Sequence, residues 1–322
     1  MAKLNESITN KLKQDEKRKA LLEVLSFTPI KESDLELEEY AEMEFDTIKE
    51  KNEHELEGWA NKKFYRVKGI SDIVRREKQK PNSYITYIDD VAEEIVPEYI
   101  SALIKINAGE NTIMEVLASQ ILNYFGVPTV LNIPVKAKNG RLKLLSVDSI
   151  SSDEYFTTFY NCGLSTYAFN ANNFRDIKKL FKLNKEDEKK IIKEYVLTYL
   201  VRSCLLSDLD FQMYNVGILK NTRTYNRKLI NFDFESTFWM NDTELAYQDK
   251  VQIERFYDAF PEVIDEFREK LNDLFQVIDE AISKAPETTK ESLKILQHNA
   301  QQILAFLNKL WVERKYPQAN KK

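Results

Sequence analysis

The sequence has 322 residues, 43% of them hydrophobic and 31% charged, which is ordinary for a globular protein of about two domains. A net charge of −5 argues against a nucleic-acid-binding protein. Two cysteines and two histidines argue against a disulfide framework, a serine-type triad and a histidine-rich zinc site. The charged amino terminus lacks the apolar core of a secretory signal, and no apolar run is long enough to span a bilayer, so we expect a cytoplasmic protein.

The predicted elements divide the chain into three parts. Residues 1–60 are charged and helix-like, and we expect a helical cap or interaction arm there, with a solvated helical face as the simpler alternative. Residues 61–148 contain most of the predicted strands, and residues 149–322 are mainly helical. The predicted class is therefore α+β, with a sheet-rich part preceding a helical part.

The sheet-rich part has one predicted helix among its strands. Apolar patterns predict strands at residues 64–67, 84–88, 99–106, 129–135 and 141–147. An amphipathic helix is expected over residues 112–125, and Asn139-Gly140 is a strong hairpin turn signal between the last two strands. Between the first two strands, a turn with Gly69 and Ser71 is the place where the chain could cover a phosphate, with a mobile surface loop as the equal alternative.

One lysine stands where a phosphate-binding lysine would be expected. Lys105 ends the apolar strand, and Glu115 lies one turn into the following helix, with Glu110 as a competing partner. A strand lysine paired with a helix glutamate binds nucleotide phosphates in kinases. The plainer alternatives are a surface lysine and an exposed helix glutamate.

The next candidate contact to a nucleotide is the end of the sheet-rich part. Ser146, Val147 and Asp148 would form a hinge between the two parts. A hinge offers main-chain groups to an adenine ring, so these side chains need not be special.

A polar loop and a hairpin carry the remaining candidate residues, within residues 205–237. Asp210 is followed by Asn215 after four intervening residues, then by two apolar runs around a polar turn, and then by Asp233. A hairpin would bring Asn215 and Asp233 to one mouth. Their amide and carboxylate oxygens suit Mg²⁺, and Asp210 suits the acceptance of a hydroxyl proton, as in phosphoryl transfer. The plainer alternative is a surface loop rich in turn formers.

These stretches together resemble the HipA-like serine/threonine kinases, a bacterial branch of the protein-kinase and phosphoinositide-kinase fold. The similar segments are Ile104 with Lys105, residues 114–118, 125–128 and 205–215, and Phe232 with Asp233. The family typically shows Asn-x-Asp-x-His-x-x-Asn in the segment that corresponds to residues 205–215. Here Asp208 replaces the first Asn and Gln212 replaces the His, and the position where the family helix often carries its acid is Asn111.

The resemblance implies a bilobal kinase-like fold, with an N-lobe at 61–148 and a helical C-lobe at 149–322. It also implies ATP and Mg²⁺ as cofactors, a protein substrate carrying Ser or Thr, and autophosphorylation. The implied nucleotide contacts are Lys105, Glu115, Ser146, Val147, Asp148, Gly69 and Ser71, the implied metal ligands are Asn215 and Asp233, and the implied catalytic residues are Asp210 and Lys105. The resemblance further implies a role as a bacterial toxin or effector, with translocation into another cell.

Two alternatives stay open from the sequence. A kinase-fold binding protein that has lost its chemistry fits the replacements at Asp208 and Gln212. A phosphotransferase for small molecules, of the aminoglycoside or choline type, would share the same core residues.

Overall fold

The computed structural model describes nine stretches of the chain. They are residues 2–39, 62–78, 98–105, 111–147, 154–159, 183–211, 215–221, 227–238 and 245–316. Within them the protein is mixed α+β, as the sequence predicts. It has two sheets, and helices precede, separate and follow the strands along the chain. No helix in these stretches is long and apolar enough to cross a membrane.

The larger sheet has six strands, named β1 to β6 in chain order. Their bounds are Ile30–Lys31, Glu36–Glu39, Lys62–Lys68, Tyr99–Lys105, Leu131–Lys136 and Leu142–Val147. In space the order is β1-β5-β6-β4-β3-β2. Strand β1 runs parallel to β5, and every other neighbouring pair is antiparallel. Strand β4 is therefore central, which gives the residue at its end, Lys105, a fixed position.

Two helices follow strands of this sheet, α2 (Ser71–Lys78) and α3 (Asn111–Phe125). Helix α3 was predicted, and it packs against β5 and β6. Its residues Ile113, Leu117 and Ile121 recur at helical spacing and are buried in the core. Helix α2 was not predicted, because its segment is short and mostly charged.

The amino-terminal part differs from the expected helical arm. Helix α1 (Ala2–Val24) was expected, but residues 30–39 form β1, a short 3₁₀ turn and β2. The acidic residues of β2 stand directly opposite basic residues of β3, with Glu36 facing Lys68 and Glu38 facing Arg66. Opposite charges across a strand pair stabilise it. The sequence alone does not show which strand lies beside the acidic run, so the composition of that run predicted a helix.

The smaller sheet contains the predicted hairpin. Strands β8 (Val216–Asn221) and β9 (Arg227–Asn231) are antiparallel, and Val216 pairs with Asn231. A third strand, β7 (Glu154–Thr158), pairs with β8 and was not predicted. A Cβ at Gly217 would lie 2.4 Å from the main-chain oxygen of Thr157, so a glycine is needed where β7 and β8 approach.

The remaining helices are α4 (Lys185–Thr198), α5 (Tyr247–Ala259), α6 (Pro261–Lys284) and α7 (Glu287–Lys315). Helix α4 continues directly into a π-helical turn, Tyr199–Leu205, so the winding of the helix changes before the polar loop. Helix α5 is separated from α6 at Pro261, which has no N–H to donate and therefore begins a new helix.

The apolar core is continuous between the sheet and the helices. It includes Ile104 of β4, Leu122 of α3 and Leu271 of α6, and the rings of Phe125 and Phe267 lie 4.9 Å apart. Helix α1 also packs on α6, where Lys17 and Asp273 form an ion pair of 2.6 Å. The division into two lobes at residue 148 stays a prediction.

A buried carboxylate joins α4 to the hairpin and predicts a pH dependence of stability. Glu194 accepts a hydrogen bond of 2.9 Å from the Leu229 N–H, and burial raises its pKa to about 7. A raised folded-state pKa means that the folded protein binds the proton more tightly than the unfolded chain, so stability rises as pH falls from about 7 towards 4.5. The variant Glu194→Gln keeps the acceptor without this titration.

We therefore expect Glu194→Gln to stabilise the protein relative to wild type at pH 8, by up to about 3 kcal/mol, and by less at pH 5. Denaturant unfolding at both pH values measures the difference. Glu269→Gln, at an exposed position of α6, is the control for a generic change of charge. A difference between variant and wild type that does not change with pH would contradict the role given to Glu194.

Candidate active site

Lys105 is the centre of a buried cluster of charges. Its Nζ lies 2.9 Å from Glu115 Oε1, 3.2 Å from Asp233 Oδ1 and 2.9 Å from Glu235 Oε1. The lysine is only 4% exposed, so its ammonium is compensated by carboxylates rather than by water. The structure thus brings together three segments that are far apart in sequence: the end of β4, the second turn of α3 and the chain after β9.

Burial and charge act in opposite directions in this cluster. Burial lowers the pKa of Lys105, but the charges of Glu115, Asp233 and Glu235 outweigh it and raise that pKa above its ordinary value. Burial raises the pKa of Glu115 to about 7, although Lys105 opposes this shift. The lysine is therefore charged at neutral pH, and burial makes Glu115 hold a proton more tightly than an exposed glutamate does.

Glu115, one of the two acids that the sequence offered as a partner, contacts Lys105 directly. The competing Glu110 lies outside the described residues. The contact of Glu235 was not predicted from the sequence. Its only signal is the spacing of two residues from Asp233, which places both carboxylates after the same strand end.

The polar loop after α4 is held by its own side chains. The amide nitrogen of Asn215 donates to the main-chain oxygen of Asp210 at 2.9 Å and to its carboxylate at 3.2 Å. The Asp210 N–H donates to Asp208 Oδ1 at 3.1 Å. Asp210 and Asn215 are therefore neighbours, and the amide oxygen of Asn215 is the atom that it could offer to a cation.

The hairpin brings the main chains of Asn215 and Asp233 to one mouth, as predicted. The Phe232 N–H donates to the main-chain oxygen of Asn215 at 3.2 Å. Arg202 adds a second link, because its guanidinium donates to the main-chain oxygens of both Asn215, at 3.0 Å, and Asp233, at 2.9 Å. The same guanidinium pairs with Asp208, at 2.7 Å from Nε to Oδ2.

Arg202 was missed in the sequence, although a signal exists. It is the charged residue within the long apolar run of residues 195–206, and a charged residue in such a run is expected to be buried and paired. Asp208, which was read only as a departure from the family pattern, is that partner.

Backbone strain is concentrated in the same two loops. Among the described residues, the non-glycine residues with positive φ are Ser207 at 47°, Asp233 at 58° and Phe238 at 60°. The loops are also joined directly, since Phe238 N–H donates to Leu206 O at 2.6 Å. Strained backbone persists where the surroundings over-determine it, and it clusters at functional sites.

The expected hinge residues lie in β6, away from the lysine. Ser146 donates from its hydroxyl to Asn132 Oδ1 at 2.6 Å, and Val147 is buried and pairs with Ala102. Because Leu144 is the residue opposite Lys105, Val147 lies about 10 Å further along the strands. Asp148 lies outside the described residues.

The turn at Gly69 and Ser71 is not brought to the cluster. Strands β3 and β4 pair Lys62 with Lys105 and Lys68 with Tyr99, so this turn lies about 20 Å from Lys105 along the sheet. Gly69, with φ of 102°, instead approaches the main chain of Asp34. The sheet end nearest Lys105 is the one where β2 ends and β3 begins.

The donor atoms near Lys105 suit a hard cation. Carboxylate oxygens of Glu115, Asp233 and Glu235 lie within 4.8 Å of one another, and Asn215 stands at the hairpin mouth, where its main-chain oxygen accepts from the Phe232 N–H. Oxygen ligands of this kind are those that Mg²⁺ prefers. Asp233 and Glu235 are partly exposed, whereas Glu115 is buried, so the first two are the accessible carboxylates.

No protein-family model and no curated protein matches the sequence. Among solved structures, the chain is similar to the Helicobacter pylori proinflammatory kinase CtkA, with 14% identity and a TM-score of 0.45, over 67% of this chain and 92% of that one.

It is also similar to a chain of the Shewanella oneidensis MR-1 toxin–antitoxin complex of HipA, HipB and operator DNA. The identity is 14% and the TM-score 0.39, over 65% of this chain and 58% of that one, so the match spans less than two thirds of that neighbour. At this identity and these TM-scores, neither likeness assigns an activity or a ligand to this chain, and neither identifies it as CtkA.

Ser207 is strained and is not a candidate ligand, so it gives a direct test of the loop. The Ser207 hydroxyl accepts a hydrogen bond of 2.9 Å from Asn299, and both Ser207→Gly and Ser207→Ala remove it. Glycine adopts positive φ without penalty, so we expect the Gly variant to be more stable than the Ala variant by about 1 kcal/mol. Denaturant unfolding measures this difference, and an Ala variant as stable as the Gly variant would show that Ser207 is unstrained.

Proposed function

We propose that this protein is an ATP- and Mg²⁺-dependent phosphotransferase that modifies Ser or Thr hydroxyls of proteins. The observation that carries the proposal is the convergence on Lys105, which contacts Glu115 at 2.9 Å and Asp233 at 3.2 Å. Arg202 ties that same Asp233 to the loop of Asp210. A lysine–glutamate pair, a metal-binding aspartate and a loop aspartate are the parts from which a kinase site is built.

Lys105 would bind the phosphates of the nucleotide. Its ammonium is a compact charge with three donors, and Glu115 fixes one of its directions from a fully buried position. The charge at that position would stabilise negative charge on the phosphate oxygens during transfer.

Asn215 and Asp233 would hold Mg²⁺, with Glu235 as a third oxygen donor beside them. Mg²⁺, when bound, supplies positive charge that offsets the charge of the phosphates. The two accessible carboxylates and the amide oxygen fit this ion, because they are hard oxygen ligands. Arg202 keeps the main chains of Asn215 and Asp233 in place.

Asp210 would accept or orient the proton of the attacking hydroxyl. Its carboxylate receives the amide of Asn215, and its N–H is fixed by Asp208, so both ends of the residue are held. Autophosphorylation and an effector role are supported by the sequence resemblance alone.

The proposal is tested by incubating the pure protein with labelled ATP and Mg²⁺, alone and with protein or small-alcohol acceptors. We expect label on Ser or Thr of protein, and none with Asp210→Asn. Label on small alcohols alone would favour the small-molecule phosphotransferase. Nucleotide binding without any transfer would favour the binding protein that has lost its chemistry.

Two variants should lose activity in different ways. Lys105→Met removes the phosphate contact, so we expect weaker ATP binding together with slower transfer. Asp210→Asn leaves the lysine cluster intact, so ATP affinity should be nearly unchanged while turnover falls on the order of 10²-fold or more. Calorimetric ATP affinities and turnover rates measure both effects. Wild-type turnover in Asp210→Asn would remove the catalytic role assigned to it.

The metal role has its own variant. Asp233→Asn is suited to it, because asparagine tolerates the positive φ of 58° that this position needs. We expect a higher Mg²⁺ concentration for half-maximal transfer and a lower maximal rate, since one ligand charge is lost. A Mg²⁺ titration of activity checks this, with circular dichroism to establish folding. An unchanged titration would mean that Asp233 is not a metal ligand.

A further inference from the structure

Arg202 is the largest fully buried side chain in the described part of the protein. Its relative exposure is 0%, and it lies in the π-helical turn that ends α4. π-helical turns are rare and occur often at functional sites. A guanidinium in such a position has to find acceptors for its N–H groups, because no water can reach it.

On one side, Arg202 contacts the loop that carries Asp210. Its Nε donates to Asp208 Oδ2 at 2.7 Å, and its terminal nitrogen lies 2.5 Å from the same atom. The other oxygen of that carboxylate accepts from the Asp210 N–H at 3.1 Å. Asp208 therefore links the guanidinium of Arg202 to the main chain of Asp210, the proposed catalytic aspartate.

On the other side, Arg202 contacts the mouth of the hairpin. It donates to the main-chain oxygens of Asn215 at 3.0 Å, Phe232 at 3.3 Å and Asp233 at 2.9 Å. These residues include both of the proposed metal ligands. One planar group thus fixes the loop of Asp210 and the segment of Asp233 relative to each other.

Aromatic rings fix the orientation of the guanidinium. The ring centroid of Phe211 lies 4.9 Å from its central carbon, and that of Phe234 lies 4.8 Å from it. One ring belongs to each of the two segments that Arg202 joins. Cation–π contacts of this kind are strongest where water is excluded.

Stability alone does not explain the buried pair. A buried ion pair contributes little net stability, and apolar residues of similar volume often serve as well or better. What apolar residues cannot supply is a fixed fork of donors aimed at a carboxylate and three carbonyls. What distinguishes this arginine is therefore the fixed geometry of its hydrogen-bond donors.

We propose that Arg202 is a positioning residue that sets the distance between the proton-accepting Asp210 and the metal-binding Asp233, acting through Asp208. This inference rests on the proposed function, because it concerns the same site. A misplacement of about 1 Å between reacting groups can cost on the order of 10²-fold in rate.

The decisive experiment separates stability from position. Arg202→Met alone leaves Asp208 buried without its partner, so it should lower the melting temperature. The double variant Arg202→Met with Asp208→Asn removes both charges, and its Asn can still accept the Asp210 N–H. We expect it to regain most of the lost stability, while kcat at saturating ATP and Mg²⁺ stays lower on the order of 10²-fold. Near wild-type kcat in a stable double variant would overturn the proposal.

Arg202→Lys is the second variant, in case the double variant does not fold. A lysine keeps the charge beside Asp208, but its single nitrogen cannot reach the carboxylate and three carbonyls together. We expect a folded protein with kcat reduced to a similar extent. A folded Lys variant with wild-type kcat would contradict the proposal.

The matched control is another Arg–Asp ion pair, which is largely buried, with side-chain exposures of 12% and 8%. Arg227 at the start of β9 contacts Asp187 of α4 at 2.9 Å, away from both loops. The double variant Arg227→Met with Asp187→Asn should keep kcat close to wild type. An equal loss of kcat in this control would show that the effect is a general consequence of losing a buried pair, and would overturn the proposal.

A readout without activity keeps the inference separate from the proposed function. Hydrogen exchange should become faster at the Asp210 and Phe232 amides of the Arg202/Asp208 double variant, and not at amides of α6. If wild type transfers no phosphate, the proposed function fails, and this local change still supports the role of Arg202 in placing the loops. Unchanged exchange at both amides would overturn that role.

Discussion

A positive charge without access to water determines the arrangement of the loops in this protein. Arg202 has no exposed surface, so every acceptor that it needs has to come from the chain. Asp208 supplies a carboxylate, and three main-chain oxygens supply the rest. The two loops therefore cannot move apart without leaving a buried charge unsatisfied. This requirement also explains why strained conformations at Ser207 and Phe238 are tolerated beside it.

The sequence predicted the parts of the site that depend on local patterns. Alternation on both sides of a polar turn indicated the hairpin that brings Asn215 to Asp233, and an apolar strand followed by an amphipathic helix indicated the relation of Lys105 to Glu115. Helical and strand periodicities are properties of short segments, so they can be read without knowing the fold. The contact of Glu235 with Lys105 joins residues 130 positions apart, and no periodicity contains it.

Strand register was the information that the sequence lacked. The turn at Gly69 is rich enough in small and polar residues to suggest a phosphate contact, but pairing of Lys62 with Lys105 places that turn at the far end of β3. The acidic β2 was assigned to a helix for the same reason, since the basic residues that balance it lie on β3. Local composition indicates which contacts a segment could make, whereas strand pairing determines where in the fold that segment lies.

The surroundings of Lys105 have a consequence for any anion that approaches it. Three carboxylates and one ammonium leave the cluster with more negative than positive groups, even though burial raises the pKa of Glu115 to about 7. A phosphate that reaches Nζ would have to displace an internal competitor such as Glu235. The free energy of phosphate binding would then be the difference between two ion-pair energies, that of Lys105 with the phosphate and that of Lys105 with Glu235. Substitutions of Glu235 would therefore raise or lower the affinity of Lys105 for the phosphate.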